Sequence, residues 1–565
     1  MVLAADETLR LDANAVDYTL VVAYFAVVML IGFAARRRVS DSLDFFLSGR
    51  SLPAWVTGLA FISANLGAVE IIGMSANGAQ FGMATFHYFW IGAVPAMLFL
   101  GVVMMPFYYG SKVRSVPEFM RRRFGTGAHL VNALSFAIAQ VLIAGINLYL
   151  LAKIVNALLG WPLWVSLILA AAIVLSYITL GGLSAAIYNE VLQFFVIVAA
   201  LLPLTLIGLH RVGGVGGLTD AVRGSGNEND LTSWPGTDLT GIDSPVLSTI
   251  GIVFGLGFVL SFGYWTTNFV EVQRAMATKS MSAARSAPII GSFPKMFIPF
   301  IVIVPGMIAA VLVSDVTSAK AAGDPDFDYN NAILLLIRDV LPNGLLGVAI
   351  AGLLASFMAG MAANISAFNT VFSYDLWQQY VKKDRPDEYY LKVGRLATVG
   401  ATVIAIFTAV IASGYSNLMD YLQTLFGFFN APLFATFILG MFWKRMTATA
   451  GWTGLVSGTL GAVVVAVLSE DSLGGLSTGV LPLSGQGASF VAAATAFVVD
   501  IVVSVVVSMV TAPKPVSELA GLVYSETPRE QRTDPDAHRL PWYSSPTKLA
   551  GIALVLVIAL NVIFR

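Results

Sequence analysis

Glu70 is a carboxylate inside a stretch, Pro53 to Met83, that carries no other charge. A charged side chain near the middle of a membrane helix costs about 2.5 to 3.5 kcal/mol on insertion scales, so it is kept beside a cavity, an ion, a substrate or a partner charge. The run before it, Ser63-Ala64-Asn65-Leu66-Gly67-Ala68-Val69, mixes polar and small residues and suits a helix that opens to bind something. A second segment has the same make-up. Gly251, Gly255, Gly257 and Gly263 lead to Tyr264-Trp265, and Asn268 and Glu271 follow. Unwound helices at matching positions in two halves of a transporter free carbonyls and half-helix ends to coordinate ions and solutes. Glycines alone are explained as well by close helix packing. The polar residues beside them shift the reading towards binding.

The elements that position these residues are membrane spans. The chain is 57% hydrophobic and 12% charged, with a mean hydropathy of +0.79, which points to an all-α polytopic membrane protein. There is no cysteine, so disulfides, thiolate metal sites and a cysteine nucleophile are excluded. Apolar stretches fall at 18–35, 53–80, 84–110, 128–158, 162–180, 187–210, 246–273, 287–314, 344–377, 394–413, 417–443, 448–468, 488–511 and 547–564, about fourteen transmembrane helices.

The first stretch follows Asp6, Glu7, Asp12 and Asp17 and ends in Arg36-Arg37-Arg38, the reverse of a cleavable signal peptide, so it reads as a retained helix with its N-terminus outside. Alternation then puts Arg36 to Arg50, Lys112 to Arg123, Arg274 to Arg285, Lys382 to Arg395, Lys444-Arg445 and Lys514 to Lys548 on one side, the cytoplasmic one by the positive-inside rule. The loops 211–245 and 315–332 on the other side are acidic, and the C-terminus also ends outside.

Several short motifs recur in order. They are Ser48-Gly49-Arg50-Ser51-Leu52-Pro53, Ile72-Gly73-Met74-Ser75, Val116-Pro117-Glu118-Phe119, Gly181-Gly182-Leu183-Ser184-Ala185 between the fifth and sixth spans, Gln273-Arg274, and Leu439-Gly440-Met441-Phe442-Trp443-Lys444. Together they resemble the sodium/solute symporter family, nearest to its sodium/glucose cotransporter branch, over nearly the whole chain. The resemblance implies a leucine-transporter-type core of two inverted five-helix repeats working by alternating access. The repeats would occupy 53–210 and 246–443, flanked by 1–52 (N-terminus, first span and a cytoplasmic loop), the extracellular loop 211–245 and three additional spans in 444–565. Solute and ion would bind near the midplane, where the broken second and seventh spans face the third, eighth, ninth and eleventh.

Carried over residue by residue, the resemblance implies polar sugar ligands at Asn65, Asn268, Lys295 and Gln423, with Met74 and Tyr88 at an apolar gate. Glu70 and Trp265 complete the substrate-binding candidates. Phe89 and Gly92 stand where the branch has a glutamate and a serine, so the pattern is that of a sugar-like or polyol site but not of the glucose site. For Lys295 the alternative is a structural ion pair with Glu70. The family's sodium would be held by the carbonyls of Ser63, Leu66 and Ser356, but Ala359 and Gly360 occupy the places of its two hydroxyl ligands. A hard cation that loses two oxygen ligands is held weakly. Two readings of Glu70 follow: it takes over coupling by binding protons, or it is a substrate ligand while sodium binding persists elsewhere. The coupling ion is therefore Na+ or H+.

Three further residues carry paired readings. His87 is a titrating group near the gate or an interfacial histidine facing headgroups or solvent. Glu190 lies on the ion path or is an exposed acid at a helix start. The Arg121-Arg122-Arg123 cluster reads as a topology signal facing anionic headgroups.

The leading function is a secondary active symporter moving a small polar solute, a sugar or polyol, into the cell across the plasma membrane. The partners are that solute, a monovalent cation and the bilayer, with no nucleic acid. An amine or carboxylate solute is an alternative, as is a transporter-like sensor or channel without coupled flux. An enzyme is disfavoured: the four histidines, His87, His129, His210 and His538, are scattered, and no catalytic residue, cofactor or metal site beyond Na+ is expected.

Overall fold

The computed structural model describes residues 10–36, 51–111, 113, 115–324, 327–415, 417–470, 476–535 and 540–565, of which 35, 36, 177–182, 184 and 185 as backbone only. Most of the basic cluster Arg36 to Arg50, the motif residues Ser48-Gly49-Arg50 and Lys112 lie outside the described residues.

The main helices are α1 (Ala15–Arg36), α2 (Ala54–Asn65), α3 (Val69–Phe86), α4 (Tyr88–Ser111), α5 (Val116–Phe124), α6 (Thr126–Leu159), α7 (Leu163–Arg211), α8 (Pro245–Thr267) and α9 (Phe269–Met276). They continue with α10 (Met281–Leu312), α11 (Leu345–Val381), α12 (Asp387–Ala412), α13 (Leu418–Phe442), α14 (Ala448–Leu468), α15 (Gly485–Val510) and α16 (Pro546–Ile563). Among the described residues 12 helices are long and apolar enough to cross a membrane, and α2 with α3, bent by 60°, makes up to 13. The expected fifth stretch is present as the shorter apolar helix Leu163–Ser176.

Residues Leu163 to Arg211 are helical throughout, but the chain reverses direction within 177–185, as separate fifth and sixth spans require. The first length starts beside the Tyr18–Leu158 contact and reaches Ser176 next to Met29, and the second returns past Gln193 next to Tyr24 to Arg211, at the end that holds Asp17.

Polar contacts tie together one end of the bundle. Asp17, at the start of α1, accepts from the backbone N–H groups of Gly344 and Gly347. Arg211 donates to the carbonyls of Asp339 and Val340, Lys320 pairs with Asp230, and Ser233 donates to the carbonyl of Phe564 near the C-terminus. The described chain therefore begins and ends on the face that carries the acidic segments 211–245 and 313–344.

Arg123, expected among headgroups, is fully buried. It donates to the carbonyls of Gly440 (3.0 Å) and Trp443 (3.2 Å), closing the C-terminal end of α13. Its neighbours Arg121 and Arg122 are engaged as well, with Gln379 at 2.6 Å and Glu118 at 2.5 Å. The last carbonyls of a helix have no intrahelical partner, which is what a buried guanidinium supplies here.

Glycines set how closely the helices approach. A methyl at Gly78 of α3 would lie 2.4 Å from the Ile303 carbonyl oxygen, and one at Gly306 of α10 would lie 1.9 Å from that of Ser75, so α3 and α10 touch backbone to backbone. Gly306→Ala should destabilise the protein by about 1–3 kcal/mol, the usual cost of overpacking, and lower its thermal midpoint in detergent. Gly400→Ala in α12, with nothing within 4 Å of the added carbon, is the matched control and should leave the midpoint unlowered or raise it slightly.

Candidate functional site

Two helix breaks make the site. Helix α2 ends at Asn65, and Leu66 leaves helical geometry with φ −71° and ψ 43°. The chain resumes as α3 at Val69 on a new axis. Gly67 sits between the two halves, where a methyl would lie 3.2 Å from Asn147 Oδ1 and 3.3 Å from Gly360 Cα. The second break falls at Asn268, which is extended with φ −70° and ψ 119° and whose Oδ1 caps the new helix α9 by accepting from Val270 N at 3.0 Å. Apart from Gly67, the glycines of these segments serve packing: Gly58 against Ala287, Gly73 against Met419, Gly255 against Phe490 and Gly263 against Asn430.

A cavity of about 90 Å³ lies between the breaks. At roughly 10–15 Å³ for each water centre, that is room for about six to nine waters, the scale of a small solute. Asn65, Glu70, Met74, Tyr88, Trp265, Asn268, Lys295 and Gln423 all line it. So do Asn147 of α6, Tyr264, Asn364 of α11 and Phe426 of α13, none of them among the residues the sequence singled out as ligands. The fourth span thus joins those expected around the site. Tyr264 had a signal in its neighbour Trp265; Asn147 had one in being a polar residue within an apolar helix.

Lys295 holds the centre. Its side chain is 1% exposed, and Nζ donates to Glu70 Oε1 at 2.6 Å and to Asn65 Oδ1. The Phe89 and Trp265 rings lie 4.7 and 5.4 Å from Nζ, close enough for cation–π attraction. Phe89, where the resemblance expected a glutamate, thus faces the cation with a ring. Asn65 Nδ2 donates to Tyr264 OH at 3.2 Å, and Tyr264 OH donates to Glu271 Oε1 at 2.7 Å. Tyr264 is itself covered by Phe426, with ring centroids 4.6 Å apart. On the opposite side Tyr88 donates to Gln486 of α15, which in turn donates to Asp420.

The residues of the expected cation site are brought together in part. Ser356 Oγ donates to the Leu66 carbonyl at 2.8 Å, tying α11 to the first break. Ser63, Ser356 and Ala359 are fully buried, and Gly360 faces the cavity against Gly67. A carbonyl has two lone pairs, so the Leu66 oxygen can accept from Ser356 and still face a cation.

Two expectations are corrected. Glu190, near the start of the sixth span, is not exposed: it is fully buried and paired with the equally buried Arg274 through contacts of 2.5 and 3.1 Å. His87 does not face solvent or headgroups. It is fully buried, with Nε2 2.8 Å from the Ser233 carbonyl and its ring against Trp234.

The model of the Sodium:solute symporter family matches residues 45–458, which include both breaks and every residue named around the cavity except Gln486. The chain belongs to this family. Among curated relatives of this symporter, the sodium/glucose cotransporter of Vibrio parahaemolyticus is 29% identical over 78% of this chain and 83% of its own length. Sodium/glucose cotransporter 4 of Homo sapiens is 30% identical over 82% of this chain and 70% of its own. A Na+-coupled sialic acid symporter, solved substrate-bound and outward-open, superimposes with a TM-score of 0.73 at 19% identity over 88% of this chain and 98% of that one. The symporter therefore has the all-α, leucine-transporter-type membrane fold, and it is a transporter rather than an enzyme.

The central ion pair is buried unequally, Lys295 at 1% and Glu70 at 12% exposure. Removing one partner of a buried pair costs up to about 3–5 kcal/mol, because the other charge is stranded. Glu70→Gln should therefore destabilise this symporter more than Lys295→Met, and the double variant should be more stable than the sum of the two losses. Thermal unfolding of the three variants in one detergent checks this.

Proposed function

We propose that this symporter carries a small hydroxylated solute, a sugar or polyol, into the cell across the plasma membrane by alternating access. The observation that carries the reading is the ring of polar groups around the cavity: the Glu70–Lys295 pair, Asn65, Asn268 and Gln423, beside Tyr88, Tyr264 and Trp265. Hydroxyl groups donate and accept at once, so they suit a carboxylate, an ammonium and three amides arranged around them. A site built this way discriminates strongly against analogues that leave its buried polar groups unpaired.

In this reading Glu70 and Lys295 are substrate ligands, held in readiness by their own pairing. Met74 and Tyr88 form the outer cover. The curated relatives named as sodium/glucose cotransporters support a sugar as the solute class. The two breaks lie in the second and seventh spans, which supports inverted repeats over 53–210 and 246–443, with the segments 1–52, 211–245 and 444–565 outside them. Both ends of the described chain share a face with the acidic loops, and the positive-inside rule favours that face as extracellular.

The coupling ion is Na+ by family, bound at the carbonyls of Ser63, Leu66 and Ser356, and Glu190 lies along its route to the cytoplasm. Ala359 and Gly360 supply no side-chain oxygen there, which favours loose sodium binding and leaves room for H+ to drive transport through a carboxylate. An ion that binds one state better biases the exchange between outward and inward states.

The test is uptake into proteoliposomes under an imposed sodium gradient and, separately, an imposed pH gradient, with a panel of hexoses, polyols, carboxylates and amines. Accumulation of a hexose or polyol against its gradient under either ion gradient is expected. Gln423→Ala or Asn268→Ala should raise KM at least tenfold, the loss of about 1.4 kcal/mol in binding. Accumulation restricted to amines or carboxylates would overturn the solute class, and binding without accumulation would overturn symport.

A further inference from the structure

We propose that Glu271 is a proton-binding site of this symporter, distinct from Glu70 and linked to the cavity through Tyr264. The inference starts from a count of buried charges. Among the described residues around the two breaks, Glu70, Glu190 and Glu271 face two cations, Lys295 and Arg274. Lys295 is taken by Glu70 at 2.6 Å, and Arg274 by Glu190 through two contacts. Glu271 remains. It is fully buried, its Oε1 accepts from Tyr264 OH at 2.7 Å, and its Oε2 has no hydrogen-bond partner among the described residues.

A buried carboxylate with an unmatched charge is a poor resting state, and one proton removes that charge, leaving a neutral group that costs far less to keep out of water. With Oε1 occupied as an acceptor, the bare Oε2 is the atom that takes the proton. A metal cation suits the place less well. It needs several oxygen ligands, whereas Glu271 has one hydroxyl partner and two cationic side chains in its field.

The groups that face Glu271 can be named element by element. Arg274 lies one turn along on α9, Tyr264 lies on α8, Lys295 on α10 and Glu190 on α7. Helix α2 carries no titratable side chain, and neither does α11 up to Thr370. Tyr108 of α4 is engaged with the Thr266 carbonyl.

The link to the cavity is a run of hydrogen bonds. Glu271 is joined through Tyr264 to Asn65, and through Asn65 to Lys295 and Glu70. A group in the cavity that draws Asn65 away from Tyr264 alters the hydrogen bond that Glu271 receives. Protonation at Glu271 is in this way sensed at the cavity wall without the proton entering the cavity. The proton site itself does not depend on which solute the cavity takes.

Infrared pH-difference spectra of the full-length protein in nanodiscs test this without any solute. The carbonyl stretch of a protonated carboxylic acid, identified by its shift in deuterated water, should include one band that disappears in Glu271→Gln and survives in Glu70→Gln. Other buried acids, Asp375 and Asp500, contribute the same background to every variant. Should Glu271→Gln fail to fold, Tyr264→Phe keeps the carboxyl and removes its hydrogen bond, so it must shift the band. Asn65→Ala must shift it too if the link to the cavity is real.

A full set of bands in folded Glu271→Gln, or an unshifted spectrum in Tyr264→Phe, overturns the proton site. Bleaching of the band by added Na+ at constant pH would show a metal-cation site instead and overturn it as well. Failure of every solute in the uptake panel would defeat the proposed transport reading and leave this spectrum unaffected, so the two failures are distinguishable.

Discussion

The constraint on which the rest depends is charge balance in an apolar interior. Lys295 and Arg274 are buried to 1% exposure or less, and an ammonium or guanidinium taken out of water needs an acid or well-placed carbonyls at close range; these two meet acids. Each meeting joins elements that the broken helices would otherwise leave loose. Lys295 fastens α10 to both halves of the first broken span, through Asn65 of α2 and Glu70 of α3. Arg274 fastens the short half of the second to α7 through Glu190. The breaks are thus bridged by charge, and the cavity is the space the bridges leave between them.

Backbone contact supplies what charge does not. Glycine at 78 and 306 lets α3 and α10 meet at their carbonyls, and Gly67 meets Gly360 beside Asn147. Helices in lipid gain little from hiding apolar surface against one another, so close approach through small residues is the main source of their affinity. The Ser356 hydroxyl on the Leu66 carbonyl adds a polar anchor at the point where the first helix opens.

Much of this was legible in the sequence because polar residues have few reasons to be in an apolar span. Eight candidates chosen on that ground and by resemblance line one cavity. Glycine was a poorer guide. Most glycines of the two segments answer to packing, and the second break falls at an asparagine, because an amide that can cap the next helix ends the previous one more specifically than a missing side chain does. Tyr264 and Asn147 were passed over because an aromatic or an asparagine in a helix has many ordinary uses. The partners of His87, Glu190 and Arg123 come from segments at least 84 residues away, at Ser233, Arg274 and Gly440, so their burial was beyond local reading.

Asn268 holds one last consequence. Its Oδ1 is spent on the first turn of α9, yet the same side chain looks into the cavity. A ligand that asks for that oxygen competes with the start of a helix, and a lost cap is worth about 1 kcal/mol. Helix α9 carries Glu271 and Arg274, so a demand made on the Asn268 amide from the cavity side would be felt at the first turn of the segment that grips α7.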